Sequence, residues 1–324
     1  MSGGRKFLIT VFKGIGDVIL STPLIRSIKK DNPANEVYFF TRRASEPVLR
    51  HNPDISGIIL RGDGPAAALA SLSAIRAAAP EVALDFMLSS SSGLFTLLSG
   101  AGERAAFRRP LGFLFYNVMP ESKDCGYTVD TRYELLKALG IKPDGIRPDV
   151  YFAPENKTRA QTFLSANGLD PAKNPVITLD ITSPRGHRMW PAASFAKLAD
   201  MLAEKAGARI VFISGPGERD YVAAGMAMAK LPHCAAPDLD LLDLAALSGH
   251  CAMHIGTSSA PMHIAVSQGT PTFTIYGPST GPGSWTPPSS GHAWAQGDLQ
   301  KLSPEEVFEK VSLHLASQSG RVKH

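Results

Sequence analysis

The sequence predicts an α/β protein built from two Rossmann-like sheets in tandem, and three observations lead there. Its 324 residues exceed the size at which one hydrophobic core usually stops growing, so two domains of similar size are expected. Short β-branched and aromatic runs alternate with amphipathic stretches of helical period, the pattern of parallel βαβ units. That alternation fills the first half, breaks at a cluster of prolines, and begins again in the second half.

In the first half, strands are expected at 6–12, 36–41, 57–60 and 82–86, with helices near 17–30, 65–78 and 129–139. The second half places strands at 176–181 (VITLDI), 209–214 (RIVFIS), 252–256 (AMHIG) and 271–275 (PTFTI), with helices near 191–205, 217–230, 241–248 and 259–268. Pro148, Pro154, Pro171 and Pro175 interrupt the pattern, which sets the domain boundary between Val150 and Asn174 and gives domains of 1–155 and 172–300. Ser303-Pro304-Glu305-Glu306 reads as a capping box with proline at the first helical position, opening a helix to about Ala316. Val307, Phe308, Val311 and Leu315 share one face of it, and segment 301–324 is expected to cross back and cover the first domain.

Composition narrows the functional classes. A chain with 44% hydrophobic and 19% charged residues can bury large cores and is not disordered by composition. No stretch approaches the roughly 18 apolar residues that span a bilayer, and MSGGRKFLITVF reads as a first strand instead of a signal peptide, so a cytoplasmic protein, soluble or peripheral, is expected. Cys125, Cys234 and Cys251 are odd in number, far apart and without C-x-x-C spacing, which points to reduced thiols and no metal site. Residues 1–150 hold 19 Lys+Arg and 15 Asp+Glu, leaving 14 of each for 151–324, so the excess charge is N-terminal. Arg104, Arg108 and Arg109 form its densest part, suited to an anionic acceptor or membrane surface, or simply to solvent. Without interleaved aromatic residues it does not point to nucleic acid.

Four motifs sit where a strand hands over to a helix. Lys13-Gly14-Ile15-Gly16-Asp17 follows the first strand; its glycines let backbone approach a ligand, and Asp17 is either a helix cap or an ionised group available for catalysis. A dinucleotide fingerprint is the rival reading, but Ile19 stands at the third glycine position, and Thr41-Arg42-Arg43 ends the second strand where an acid is usual, leaving an NADP-dependent oxidoreductase as the alternative. Thr182, Ser183, Arg185, His187 and Arg188, just ahead of Trp190-Pro191, place hydroxyls and forked cationic donors in a loop after a strand, as a phosphate site requires. Gly215-Pro216-Gly217-Glu218 offers a carboxylate for ribose hydroxyls or for its own helix terminus. Gly256-Thr257-Ser258-Ser259-Ala260-Pro261-Met262-His263 joins free N–H groups and serine hydroxyls to a helix start that can cradle a diphosphate, with His263 one turn further in. Asp238-Leu239-Asp240 matches a metal-binding D-x-D pattern, but it opens a helix and is explained by capping.

Taken in order, G-I-G-D-V-I-L-S-T-P at 14–23, R-M-W-P at 188–191, S-G-P-G-E at 214–218 and G-T-S-S-A-P-M-H-I-A, G-T-P and Y-G-P within 256–278 resemble glycosyltransferase family 9, the ADP-heptose:lipopolysaccharide heptosyltransferases. The resemblance implies a GT-B fold, two Rossmann-like domains facing across a cleft, with acceptor on the first and nucleotide sugar on the second. It implies an inverting, metal-independent transfer of a sugar onto a lipopolysaccharide core or other glycan, with no cofactor beyond the nucleotide-sugar co-substrate. By the same resemblance Asp17 is the general base, Lys13, Gly14, Gly16, Arg104, Arg108 and Arg109 lie on the acceptor side, and Thr182, Ser183, Arg188, Glu218, Ser258, Ser259, Ala260 and His263 bind the donor. The implied partners are a nucleotide sugar and an anionic glycolipid or oligosaccharide, met at the cytoplasmic face of the inner membrane. Ser258 and Ala260 depart from the family pattern G-x-D-[ST]-G, which leaves a different donor sugar or a non-catalytic nucleotide-binding relative as alternatives.

Overall fold

The computed structural model describes residues 3–236 and 239–318. The chain divides into two units, Met1–Tyr151 and Phe152–His324.

The first unit holds one parallel sheet of five strands: β1 (Lys6–Thr10), β2 (Glu36–Thr41), β3 (Gly57–Leu60), β4 (Val82–Asp85) and β5 (Glu103–Ala105), in the order β3-β2-β1-β4-β5. Chain order runs outward from β1 on one side and resumes with β4 on the other, so the topological switch lies between β1 and β4, where Thr10 pairs with Asp85. Buried strands flanked by helices explain the near-continuous apolar runs such as FLI in β1. The helix expected over 17–30 is two helices, Ile15–Ile19 and Thr22–Asp31. The break has a local cause: Pro23 lacks the N–H that would continue the first helix, and the hydroxyls of Ser21 and Thr22 bond the carbonyls of Asp17 (3.0 Å) and Ile19 (2.7 Å).

The second unit repeats the plan with six parallel strands: β6 (Val176–Asp180), β7 (Arg209–Ile213), β8 (Cys234–Ala235), β9 (Met253–Thr257), β10 (Thr272–Tyr276) and β11 (His292–Gln296), ordered β11-β10-β9-β6-β7-β8. Its switch point falls between β6 and β9, where Asp180 pairs with Gly256. The short β5 and β8 and the edge strand β11 carry too few alternating apolar residues to be read from sequence. The helix Pro154–Ala166 belongs to this unit, its Asn156 and Arg159 bonding Asp243 at 2.8 Å each, so the unit begins before the expected residue 172.

The last helix, Pro304–Gln318, starts with the expected capping box: Ser303 N–H donates to Glu306 Oε2 (3.1 Å) and Glu306 N–H to Ser303 Oγ (3.2 Å). Its stripe corrects one expectation. Val307, Val311 and Leu315, expected to cover the first domain, are buried in the second unit's own core with Phe195, Leu198 and Leu202. The helix expected over 217–230 is shorter, Arg219–Met226. Asp240 caps the helix Leu241–Ser248 through Leu242 N–H (2.8 Å) and Asp243 N–H (2.7 Å), while Asp238 of the D-x-D pattern lies outside the described residues. Among the described residues no three His, Cys, Asp or Glu side chains group as a metal site, and no helix is long and apolar enough to cross a membrane.

Candidate active site

Each unit gathers its motif residues at the carboxyl edge of its switch point. In the first unit the turn Lys13–Gly14 leaves β1 exposed to solvent, and the space where Gly14 lacks a side chain is open. Asp17 does not cap its helix. Its Oδ1 instead accepts a hydrogen bond from Arg132 Nη2 at 2.9 Å, while Arg132 Nη1 donates to the Asp17 carbonyl and to Ser21 Oγ (2.6 Å). Arg132 arrives from the helix Thr128–Lys137, its side chain only 7% exposed, and lies 5.6 Å from the Phe86 ring. Burial lowers its pKa and the Asp17 charge opposes that shift, so the pair sustains a buried cation. The Asp17 side chain stays 20% exposed, and its Oδ2 accepts no bond from the described residues.

The neighbouring switch strand β4 ends on Asp85, which is fully buried and accepts bonds from Tyr116 OH (2.6 Å) and Met87 N–H (2.8 Å). Burial raises the pKa of Asp85 and that of Tyr116. The three arginines read as an acceptor-side cluster divide in the structure. Arg104 donates to the carbonyls of Phe115 (3.0 Å) and Ala101 (2.9 Å), Arg108 pairs with Glu121, and Arg109 donates to the Leu88 carbonyl beyond β4. Arg104 thus braces its own loop, and Arg109 alone of the three bonds the loop at the switch point.

The second unit places the eight expected donor residues in the loops after β6, β7 and β9 and in the first turn of the helix Ala260–Ser267. The loop after β6 is anchored by Trp190, which is fully buried, donates to the Leu302 carbonyl (3.0 Å) and packs edge-on against Phe195 at 4.9 Å. That plug explains the W-P pair: tryptophan fixes the loop, Pro191 precedes the helix Ala192–Ala206, and Arg188 sits two residues upstream in a short turn. Arg188 Nε is buried without a hydrogen-bond partner. Burial, and then neighbouring Arg185, lower the Arg188 pKa. Ser183, partly exposed, accepts from Arg185 N–H at 3.3 Å.

Glu218 does not cap its helix; its Oε2 accepts from Gly215 N–H (2.8 Å) and from the Thr182 hydroxyl (2.9 Å). Thr257 Oγ1 donates to the Thr182 carbonyl at 2.7 Å, tying the loops after β6 and β9 together. The Tyr276 hydroxyl bonds Thr286 Oγ1 at 2.8 Å, and burial pushes its pKa up to about 12. Ser259 occupies the N-cap of the helix Ala260–Ser267, yet its hydroxyl makes no capping bond. His263 is buried one turn further in, 6.3 Å from the Trp285 ring.

Two participants escaped the sequence reading, Arg132 and Asp180. Asp180 is 2% exposed, accepts from Thr182 N–H (3.1 Å), Thr182 Oγ1 (3.0 Å) and Ser259 Oγ (2.6 Å), and has its pKa pushed up to about 6, first by burial. Its signal was present: VALD in β4 and VITLD in β6 each close an apolar switch strand with one acid.

The model of glycosyltransferase family 9 (heptosyltransferase) matches residues 70–312, most of the chain. Lipopolysaccharide heptosyltransferase 3 of Escherichia coli is 24% identical, covering 93% of this chain and 92% of that protein. Among solved structures, a family 9 glycosyltransferase from Veillonella parvula superposes with a TM-score of 0.87 at 21% identity, over 97% of this chain and 98% of that one. The E. coli heptosyltransferase WaaC, solved with ADP, gives 0.77 at 19% identity, over 96% and 100%. The E. coli ADP-heptose lps heptosyltransferase II gives 0.80 at 18% identity, over 98% and 100%. The expected GT-B class of fold, with two Rossmann-like units, is therefore established.

Proposed function

The chain belongs to glycosyltransferase family 9, and on that premise we propose that it transfers heptose from ADP-heptose onto a lipopolysaccharide core or related glycan, with inversion. The observation that carries the donor-site reading is the buried, unpartnered Nε of Arg188, in the same loop as Ser183 at the carboxyl edge of the second sheet. A guanidinium in that setting gains most from a phosphate, because a charge-assisted bond replaces a stranded donor. Ser259 and Ala260 open a helix whose first N–H groups have no side-chain cap, adding a second set of donors for the diphosphate. Glu218 takes the ribose hydroxyls, and Ser258 with His263 lines the sugar side. Together these groups stabilise the charge that develops on the leaving diphosphate, with no cofactor or metal in the reaction.

Asp17 acts as general base in this reading. Arg132 holds one carboxylate oxygen, and Oδ2 accepts the proton of the acceptor hydroxyl as its oxygen attacks the anomeric carbon. The diphosphate departs from the opposite face. The acceptor is anionic and membrane-borne, and the protein works in the cytoplasm as a peripheral protein of the inner membrane. Support comes from the exposed Leu111, Phe113 and Leu114, which follow Arg108 and Arg109 in one loop of the first unit. Family membership disfavours the oxidoreductase alternative.

A thermal-shift panel of ADP, GDP, UDP, CMP and NADP tests the donor assignment, since a ligand that binds only the folded state raises its melting temperature. The largest shift is expected with ADP. A shift with NADP alone, or with none of the five, overturns the assignment.

A further inference from the structure

Resting on the donor-site reading above, we propose that Asp180 is a positioning residue of the transferase. It turns the Ser259 hydroxyl away from the helix that Ser259 begins, and so keeps that helix terminus open for the donor diphosphate.

Serine at an N-cap ordinarily accepts a hydrogen bond from the second or third N–H of its helix, which satisfies donors that have no intrahelical partner. Ser259 holds the N-cap position of Ala260–Ser267 with extended backbone, φ −135° and ψ 174°, as a capping serine does, yet the capping bond is absent. The hydroxyl proton goes to Asp180 Oδ2 at 2.6 Å. Capping would place the same oxygen over the helix N–H groups that a phosphate must reach. The contact with Asp180 therefore decides whether those donors serve serine or ligand.

The carboxyl group is fixed firmly enough to do this. Asp180 ends β6 opposite Gly256 of β9, and a Cβ added to Gly256 would meet Asp180 Cβ at 2.8 Å and its carbonyl oxygen at 2.9 Å. The glycine therefore makes room for the aspartate between the two strands. Its other oxygen, Oδ1, accepts from Thr182 N–H (3.1 Å) and lies 3.0 Å from the Thr182 hydroxyl, whose one proton it shares with Glu218 Oε2 at 2.9 Å. Three protein groups converge on a buried side chain that is only 2% exposed, so its effect on the donor passes through Ser259 and Thr182.

The test is a double-mutant cycle on ADP affinity with the full-length protein: wild type, Asp180→Ala, Ser259→Ala and the double variant. In Asp180→Ala the released hydroxyl caps the helix and competes with the diphosphate. ADP affinity is expected to fall about five- to tenfold, the scale of one capping bond. Alanine at 259 cannot cap, so removing Asp180 from the Ser259→Ala background is expected to change ADP affinity less than twofold. A purely structural role for Asp180 predicts the same loss in both backgrounds, and that result overturns the proposal. Asp180→Val, which keeps much of the side-chain volume and has no acceptor oxygen, supplies the same comparison if the alanine variant folds poorly. A wild-type protein that binds none of the nucleotides removes the donor reading and this inference together, whereas normal wild-type binding with equal losses removes the inference alone.

Discussion

Arg132 and Asp17 lie 115 positions apart and meet at 2.9 Å, joining the helix Thr128–Lys137 to the turn after β1. The same guanidinium bonds the Asp17 carbonyl and Ser21 Oγ, so one side chain fixes both the carboxylate and the helix break beneath it. Replacing Arg132 by Met leaves the carboxylate without its partner. Breaking a fully buried pair costs about 3–5 kcal/mol, and the partial exposure of Asp17 reduces this to about 2 kcal/mol. The expected result in urea denaturation is that loss, accompanied by a fall in kcat with donor KM unchanged. Unchanged kcat in a folded Arg132→Met would remove Arg132 from the mechanism.

Arg188→Ala tests the proposed donor site. A hydrogen bond to a charged group is worth about 1.5–3 kcal/mol, so ADP affinity should weaken by one to two orders of magnitude. Stability should hold or rise, because the buried Nε has no protein partner to lose. Calorimetry with ADP checks the first statement and a melting curve the second; unaltered affinity refutes the site.

Two buried groups in adjacent strands oppose each other in their response to pH. Burial raises the Asp180 pKa from 3.8 to about 6, so its stabilising contribution is complete below 3.8 and lost as pH rises through about 6. That shift corresponds to about 3 kcal/mol at 1.36 kcal/mol per unit. Burial lowers His254 from 6.5 to about 3, so its contribution is present above 6.5 and is lost as pH falls toward 3. Between pH 4 and 6 the two slopes offset. Asp180→Asn removes the first and exposes the second, so its melting temperature should drop more steeply than wild type between pH 6.5 and 4. Parallel curves contradict the assignment.

Ser258 stands in the loop after β9 where the family pattern carries an acid. Ser258→Asp should alter the relative rates with different nucleotide sugars while leaving the melting temperature within about 2 °C, since the strand-to-helix loop tolerates either residue. Identical donor profiles for the two proteins show that position 258 does not set specificity.

Strand period and proline punctuation located the long elements because those signals are local. β2 (Glu36–Thr41) and β3 (Gly57–Leu60) fall on their expected limits, as do the helices Pro65–Ala78 and Leu241–Ser248. β5 has three residues and β8 two, too few for any period. The stripe Val307, Val311, Leu315 was legible as apolar, but its destination depends on tertiary packing that no spacing encodes. The loops of the proposed donor site were legible for the same reason as the strands, since glycine, serine and arginine cluster where a strand ends. Arg132 and Asp180 were not, because each acts on a residue far away in sequence: Arg132 stands 115 positions from Asp17, and Asp180 stands 79 from Ser259.

The proposed role of Asp17 as the base that removes the acceptor proton is read out by turnover of Asp17→Asn. Wild type and variant are supplied with ADP-heptose and a lipopolysaccharide-core acceptor, ADP release is followed, and ADP affinity is measured alongside. Asparagine preserves the shape and an oxygen for Arg132 but is a poor proton acceptor. Turnover is expected to be lower by about 10²–10⁴-fold, the usual contribution of a positioned base, with ADP affinity within twofold of wild type. Turnover equal to wild type in the asparagine variant contradicts it.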